Sequence, residues 1–396
     1  MLHGNSKLLI KTLEESELLE GRYSKIRLVN IVDGEKRGHF SLVFRATDEI
    51  DGKDVALKFL DPDPSKSDQY RSACFRREHE ILESLRGAAR CLQVRSSCVS
   101  YELRVAIPEQ NLDLAIPAPF FAAEWIEGDI DKHFESQEQS GAIEKLEIFN
   151  LVVLAVEGLH KRGVFHRDIK ADNFRSRLDG TPLGEVVAID LGTSARSESK
   201  PIAHYTGPVG LLMYSAPEAF CGMAGDRAIA PHTDMFALGC MLFEMFHPED
   251  YQTAYRAKNP DFDIRFSALK ARIDAEPRHE ARVVAWEKNA PKLFQGLSPV
   301  KLDAASSAPA AISGLLSELI DQMTRPDFRS RESSFERVRR VCHSAIRTLS
   351  NEALARHRSQ QVAKQRQAKA AKAIARAERS RNRLAQIRSG GTDGNI

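Results

Sequence analysis

His166-Arg167-Asp168-Ile169-Lys170-Ala171-Asp172-Asn173 packs two carboxylates, two cations and an amide into one short run. Side chains of this kind are rarely buried without partners, so the run reads as a working loop rather than as core. Soon after it, residues 186–189 are wholly apolar and read as a short buried strand that delivers Asp190-Leu191-Gly192 at its end. Upstream, residues 146–161 are apolar and long enough for a buried helix, and downstream residues 233–245 read as a second one. The polar loop therefore lies between two core helices, with a third carboxylate carried to it on a strand.

Together the two segments resemble the catalytic loop and the metal-binding triplet of the protein kinase family. Phosphoryl transfer asks for positioning and charge neutralisation more than for covalent chemistry. The resemblance implies that Asp168 accepts the proton of the substrate hydroxyl, and that Asp190 and Asn173 hold Mg²⁺ between the phosphates. It implies that Lys170 neutralises the moving γ-phosphate. A lysine at that place also marks Ser/Thr rather than Tyr specificity. His166 is then a structural histidine. Arg167 becomes a receiver of phosphate from the activation segment, or else the partner of an acid.

Other stretches extend the likeness. Residues 24–32, 41–48 and 54–60 read as strands separated by turns, and residues 67–86 switch to helical spacing. Val55-Ala56-Leu57-Lys58 lies on the third strand and looks like the source of the lysine for the α- and β-phosphates. Glu78 is its expected anionic partner, with Glu80 as the alternative. Glu124-Trp125-Ile126 looks like the hinge, where the carbonyl of Glu124 and the amide of Ile126 would read adenine. Ala123 then stands at the back of that pocket as a small gatekeeper. Ala216-Pro217-Glu218 looks like the end of the activation segment, and Arg329 is expected to pair with Glu218. Asp234 is expected to organise the catalytic loop from its helix.

Two stretches depart from the family pattern. Gly34, and Gly38-His39-Phe40-Ser41-Leu42-Val43, resemble the glycine-rich loop over the phosphates, but Lys36 and Ser41 stand where two of its glycines belong. Gly210-Leu211-Leu212-Met213-Tyr214 has Leu211 where the family usually has a threonine that touches the catalytic aspartate and lysine. The resemblance covers roughly residues 23–345. A binding-only pseudokinase and a small-molecule kinase of the aminoglycoside type are the competing readings.

Bulk composition agrees with a globular chain. A 42% hydrophobic content supplies a sizeable core. No long apolar run suggests a membrane span, the first residues do not read as a secretory signal, and six cysteines without a CxxC pair read as free thiols. These features predict a cytoplasmic protein. Residues 351–396 carry eleven Lys/Arg against Glu352, Glu378 and Asp393, or +8, while the rest carries 46 basic against 52 acidic side chains, or −6. Such a tail suits a solvated helix, or one that binds nucleic acid or another polyanion.

The expectation is an α+β, two-lobed protein kinase fold with a small β-rich N-lobe, a larger helical C-lobe and a basic helical or disordered tail. Residues 1–22 form an N-terminal extension. Residues 23–345 form the kinase domain, with the N-lobe at about 23–123, the hinge at 124–129 and the C-lobe at 130–345. Residues 346–396 form the tail. Residues 87–119 do not read clearly, and residues 246–312 are expected to be a loop-rich insertion with one or two helices. The resemblance implies an ATP- and Mg²⁺-dependent Ser/Thr kinase acting on protein substrates, with autophosphorylation inside residues 193–206.

Overall fold

Strict alternation builds the first lobe. In β2 (Ser41–Asp48) and β3 (Lys53–Leu60), successive side chains point to opposite faces of the sheet. The computed structural model describes residues 2–32, 35–36, 41–66, 69–107, 112–134, 141–177, 183–196 and 210–389. With β1 (Tyr23–Leu28), β4 (Val99–Ile107) and β5 (Leu112–Glu124), these strands form a five-stranded antiparallel sheet in the order β1-β2-β3-β5-β4. One face carries Leu42, Phe44, Leu57, Phe59, Phe120 and Ala122, all nearly or wholly removed from solvent. The other face presents Val43, Ala56, Lys58, Phe121 and Ala123 to a cleft.

Helix α1 (Gly4–Glu14) covers the apolar face. Its Leu9 and Leu13, one turn apart, are fully buried in the sheet's core cluster, and Ser6 Oγ donates to Asp61 Oδ1 at 2.5 Å. Nothing in the sequence pattern announced this helix, because one pair of leucines is all the apolar surface that it buries deeply beside Ser6. Helix α2 (Gln69–Ser84) buries Phe75, Glu78, Ile81 and Leu82.

Within residues 87–119 the structure places β4 and the first part of β5. Pro117 and Pro119 obscured that strand, since proline weakens any strand assignment. The structure supplies the reason they are tolerated. Of β5, only Phe120–Glu124 pairs with β3, so residues 112–119 have β4 on one side and no strand on the other among the described residues.

The second lobe is built around α3 (Ala142–His160) and α4 (Ala230–Glu244). Twelve of the fifteen residues of α4 are buried, as an all-round apolar helix requires. Lys145 of α3 is buried as well, and its Nζ donates to the carbonyl of Met245 at 2.9 Å. Between these helices run β6 (Val164–Phe165), β7 (Phe174–Arg177) and β8 (Glu185–Ala188), with β7 pairing β8 and the short strand Gly128–Asp129. Residues 246–312 are more helical than expected: α5 (Tyr251–Lys258), α6 (Phe262–Asp274) and α7 (His279–Leu293) occupy most of them. Helix α6 buries only Phe262, Leu269 and Ile273 among many charges, which blurs its periodicity. Helix α8 (Ala310–Met323) follows.

The expected Arg329–Glu218 pair is not formed. Arg331 meets Glu218 instead, with two contacts at 2.5 and 3.0 Å, and also donates to the carbonyl of His232 at 2.7 Å. Both side chains of this pair are fully buried. Arg329 lies in a single 3₁₀ turn, Phe328–Ser330, and faces Glu287 at 3.7 Å on the surface. Counting from Pro326 selected the wrong arginine because that turn points Arg329 outward.

The chain divides into two compact units, residues 1–342 and 343–396. Helix α9 (Phe335–Ser389) supplies the end of the first and all of the described part of the second. The architecture is α+β, a curled sheet lobe and a helical lobe. No helix among the described residues is long and apolar enough to cross a membrane.

Candidate active site

The site begins with Lys58 on β3. Its Nζ lies 2.7 Å from Glu78 Oε1 of α2 and 2.9 Å from Asp190 Oδ1, just after β8. Glu80 takes no part in this contact. Burial alone would lower the Lys58 pKa, but the two carboxylates, Asp190 first, outweigh it and hold it above the ordinary lysine range. Asp190 is held below the usual carboxylate range, chiefly by the Lys58 charge, against the opposing effect of burial. The ammonium is therefore fixed as a cation between two elements far apart in sequence.

Asp190 and Arg167 both adopt left-handed backbone, with φ of 59° and 66°. Such conformations cost free energy in non-glycine residues and collect where a site needs them. Two further contacts hold the loop between β6 and β7. Asp234 of α4 accepts from the backbone N–H of His166 at 2.8 Å and of Arg167 at 2.7 Å, while His160 Nε2 lies 2.7 Å from it. His166 is fully buried, with Nε2 3.0 Å from the carbonyl of Ile189.

That framework presents Asp168. Asn173 Nδ2 donates to its carbonyl at 2.7 Å and to its Oδ2 at 3.0 Å, and the amide of Leu211 donates to its Oδ1 at 3.1 Å. Gly210 closes against the same carboxylate: with φ +85°, a Cβ there would stand 2.4 Å from Asp168 Oδ1. Only glycine fits such a backbone at such a distance.

The cleft has a volume of about 320 Å³ and is lined by Val43, Ala56, Lys58, Glu78, Ala123, Glu124, Ile126, Lys170, Asn173 and Asp190 among others. So all but three of the site residues read from the sequence border one space. Asp168 stands at its edge through Asn173. Gly34 and Gly38 lie outside the described residues. Lys170 Nζ is 4.0 Å from Asp172 Oδ2.

The sequence reading did not foresee how the hinge is braced. Arg177 of β7 binds Glu124 Oε1 at 2.5 Å and also Glu185, while Glu124 Oε1 accepts from the amide of Gln93 at 2.8 Å. No motif pointed to Arg177, because its role depends on β7 lying beside both β8 and Gly128–Asp129.

The sequence profile of the protein kinase domain matches residues 36–344, well over half of the chain. The chain belongs to the protein kinase family. It is 26% identical over 240 residues to cyclin-dependent kinase 17 of Caenorhabditis elegans, covering 60% of this chain and 32% of that protein. Over 209 residues it is 30% identical to cyclin-dependent kinase G-1 of Oryza sativa subsp. indica, covering 52% and 27%. It is also 26% identical over 216 residues to the probable serine/threonine-protein kinase PknB of Corynebacterium glutamicum, covering 52% and 29%. The match spans about a third or less of the length of these relatives.

Proposed function

We propose that this protein is an active serine/threonine kinase that transfers the γ-phosphate of ATP to hydroxyls of protein substrates with the help of Mg²⁺. The observation that carries the reading is the Lys58 ammonium held between Glu78 and Asp190 while Asn173 tethers Asp168 beside the same cleft.

The residues present fit that ligand. Val43, Ala56, Ala123 and Ile126 offer an apolar slot for a base, whose edge the carbonyl of Glu124 and the amide of Ile126 read. Lys58, fixed by Glu78, pairs with the phosphates, and Gly34 and Gly38 belong to the loop that covers them. Asp190 and the amide oxygen of Asn173 would hold the metal, which when bound would neutralise phosphate charge. Asp168 takes the proton from the acceptor hydroxyl as its oxygen bonds to the γ-phosphorus and the bond to the ADP oxygen breaks. Lys170 sits across the cleft to balance the charge of the transferred group.

Ser/Thr specificity rests on Lys170 in the loop, and relatives whose names include serine/threonine kinases support it. Autophosphorylation within residues 193–206 follows from Arg167, a cation beside the site, together with the hydroxyls of that segment. Of these, Thr193 and Ser194 are buried against the carbonyl of His166, so the acceptors are Ser197, Ser199, Tyr205 or Thr206, which lie outside the described residues. The surplus of positive charge in residues 351–396 suits a polyanion such as nucleic acid. The working compartment is the cytoplasm.

The test is transfer of labelled phosphate from Mg-ATP to serine, threonine and tyrosine peptides by the full chain. Wild type is expected to label serine and threonine, and folded Lys58→Met to label nothing above background. Transfer by Lys58→Met near the wild-type rate would overturn the reading.

A further inference from the structure

A second cavity lies in the helical lobe, between α5, the end of α7 and the turn that follows α8, and it shares no lining residue with the cleft. Its volume of about 340 Å³ matches that of the cleft and is enough to take up a small organic molecule. One wall is aromatic. Tyr251 and Tyr255, one turn apart on α5, stack with ring centroids 5.6 Å apart. Tyr255 meets Phe262 edge-on at 5.1 Å, and Phe262 in turn stacks on Phe294 at 6.0 Å. The loops that complete the lining are fixed in place. Asp327 Oδ1 accepts from Trp286 Nε1 at 3.1 Å, and Arg331 Nε donates to the carbonyl of Arg325 at 2.9 Å. Asn259 holds the backbone N–H and carbonyl of Ser298 at 2.7 and 3.0 Å. A ligand entering such a space has little to order.

Within this wall one polar group is left over. Tyr255 is only 5% exposed, yet its hydroxyl has no hydrogen-bond partner among the described residues. Tyr251, its neighbour in the stack, has Thr324 as partner. A buried hydroxyl without a partner is costly, and folded proteins seldom keep one without a reason. Burial, and after it the Asp321 charge, holds the Tyr255 phenol above its ordinary range, so it stays protonated and what it lacks is an acceptor. Asp321 of α8 lines the same cavity, with Arg325 3.6 Å away. That contact is longer than a hydrogen bond, so the carboxylate can still accept one.

We propose that this cavity binds a flat aromatic molecule carrying a hydrogen-bond acceptor beside a donor, as a two-ring aromatic amide does. The carbonyl of the ligand accepts from the Tyr255 hydroxyl, its N–H donates to the Asp321 carboxylate, and its rings lie against the aromatic wall. A purely apolar ligand leaves the hydroxyl unmet, and an anionic one meets Asp321 unfavourably.

The experiment titrates the full chain with 2-quinolinone, 1-isoquinolinone and 4-quinazolinone, followed by ligand-observed NMR. Saturating Mg²⁺ and a non-hydrolysable ATP analogue keep the probes out of the cleft. At least one probe is expected to bind saturably. Tyr255→Phe removes the hydroxyl alone and should weaken that binding about 10-fold, and Asp321→Ala should do the same. Methylating the amide nitrogen of the probe should cost about as much in wild type and nothing further in Asp321→Ala, because both changes delete one contact. The thermal midpoint of ligand-free Tyr255→Phe should not fall, since that variant loses only an unmet polar group. A clear fall gives the hydroxyl a structural partner and overturns the proposal. Saturable binding by none of the three probes, or equal binding by wild type and both variants, overturns it as well. Binding seen only without the ATP analogue places the probes in the cleft and overturns it too.

Discussion

Asp168 has a cleft side and, at residues 210–214, an exposed apolar ledge on the other side, and the two are made of opposite materials. On the cleft side, Lys58, Glu78 and Asp190 form an ion cluster whose members come from β3, α2 and the end of β8. On the ledge side, Gly210 and the amide of Leu211 touch Asp168, and beyond them lie only exposed leucines and a methionine before Tyr214. One side orders charge, which is strong and direction-dependent when water is kept out. The other orders shape and apolar surface, which is weaker and less directional. The difference teaches that the two faces of one carboxylate are held by different means, by charge from distant elements on one and by close backbone approach on the other.

The largest effect should come from the cleft side. Asp190→Asn keeps the volume and removes the charge opposite Lys58. Phosphoryl transfer is expected to drop ~10²–10³-fold or more, measured as kcat on folded protein. A variant with near-wild-type kcat would erase the contrast between the two sides. The support beneath both sides comes next. Glu218→Ala leaves Arg331 charged and fully buried, which should cost ~3–5 kcal/mol of unfolding free energy. Arg329→Ala at the surface should cost less than ~1 kcal/mol. Equal losses in denaturant titration would mean that the pairing has been misread.

On the ledge side, Gly210→Ala forces a methyl group against the Asp168 carboxylate and should lower kcat ~10²-fold, since small displacements of a reacting group are that costly. Its thermal midpoint should change little by comparison. If kcat is unaffected, the segment moves freely and the ledge is not bolted to the site.

The smallest effect concerns the back of the cleft. Ala123 faces Ala56 across the β3–β5 ladder, and Phe121 behind it packs on Phe75 and His79, with ring centroids 5.2 and 5.3 Å apart. Phe120 points the other way and stacks on Phe59 at 4.5 Å. With Phe121 engaged by α2 and Phe120 on the opposite face, the wild type should use N6-benzyl-ATP as phosphate donor. Ala123→Met should reduce that use about 10-fold while sparing ATP itself. If both proteins use the analogue equally, Ala123 does not border the base.

Much of the cleft was legible because its residues sit in short runs whose internal spacing the backbone fixes. The loop 166–173 and the strand before Asp190 are local patterns, and so is Lys58 on an alternating strand. What failed to show depends on contacts between distant segments. Arg331 reaches Glu218 only because a 3₁₀ turn sends Arg329 outward. Arg177 meets Glu185 across the β7–β8 ladder and Glu124 beside the pairing of β7 with Gly128–Asp129. Helix α1 buries fully only Leu9, Leu13 and Ser6, too little for a periodic signal.

Pro117 and Pro119 carry a consequence for life at high protein concentration. Their ladder with β4 runs without a break from residue 112 to residue 120, so the missing N–H groups fall on the opposite edge, where β3 has ended. An open edge of that length is a template on which another molecule's strand could add and begin a growing aggregate. An intruding strand finds too few donors there to complete a ladder. The two residues that made this strand hard to read thus make that edge a poor template.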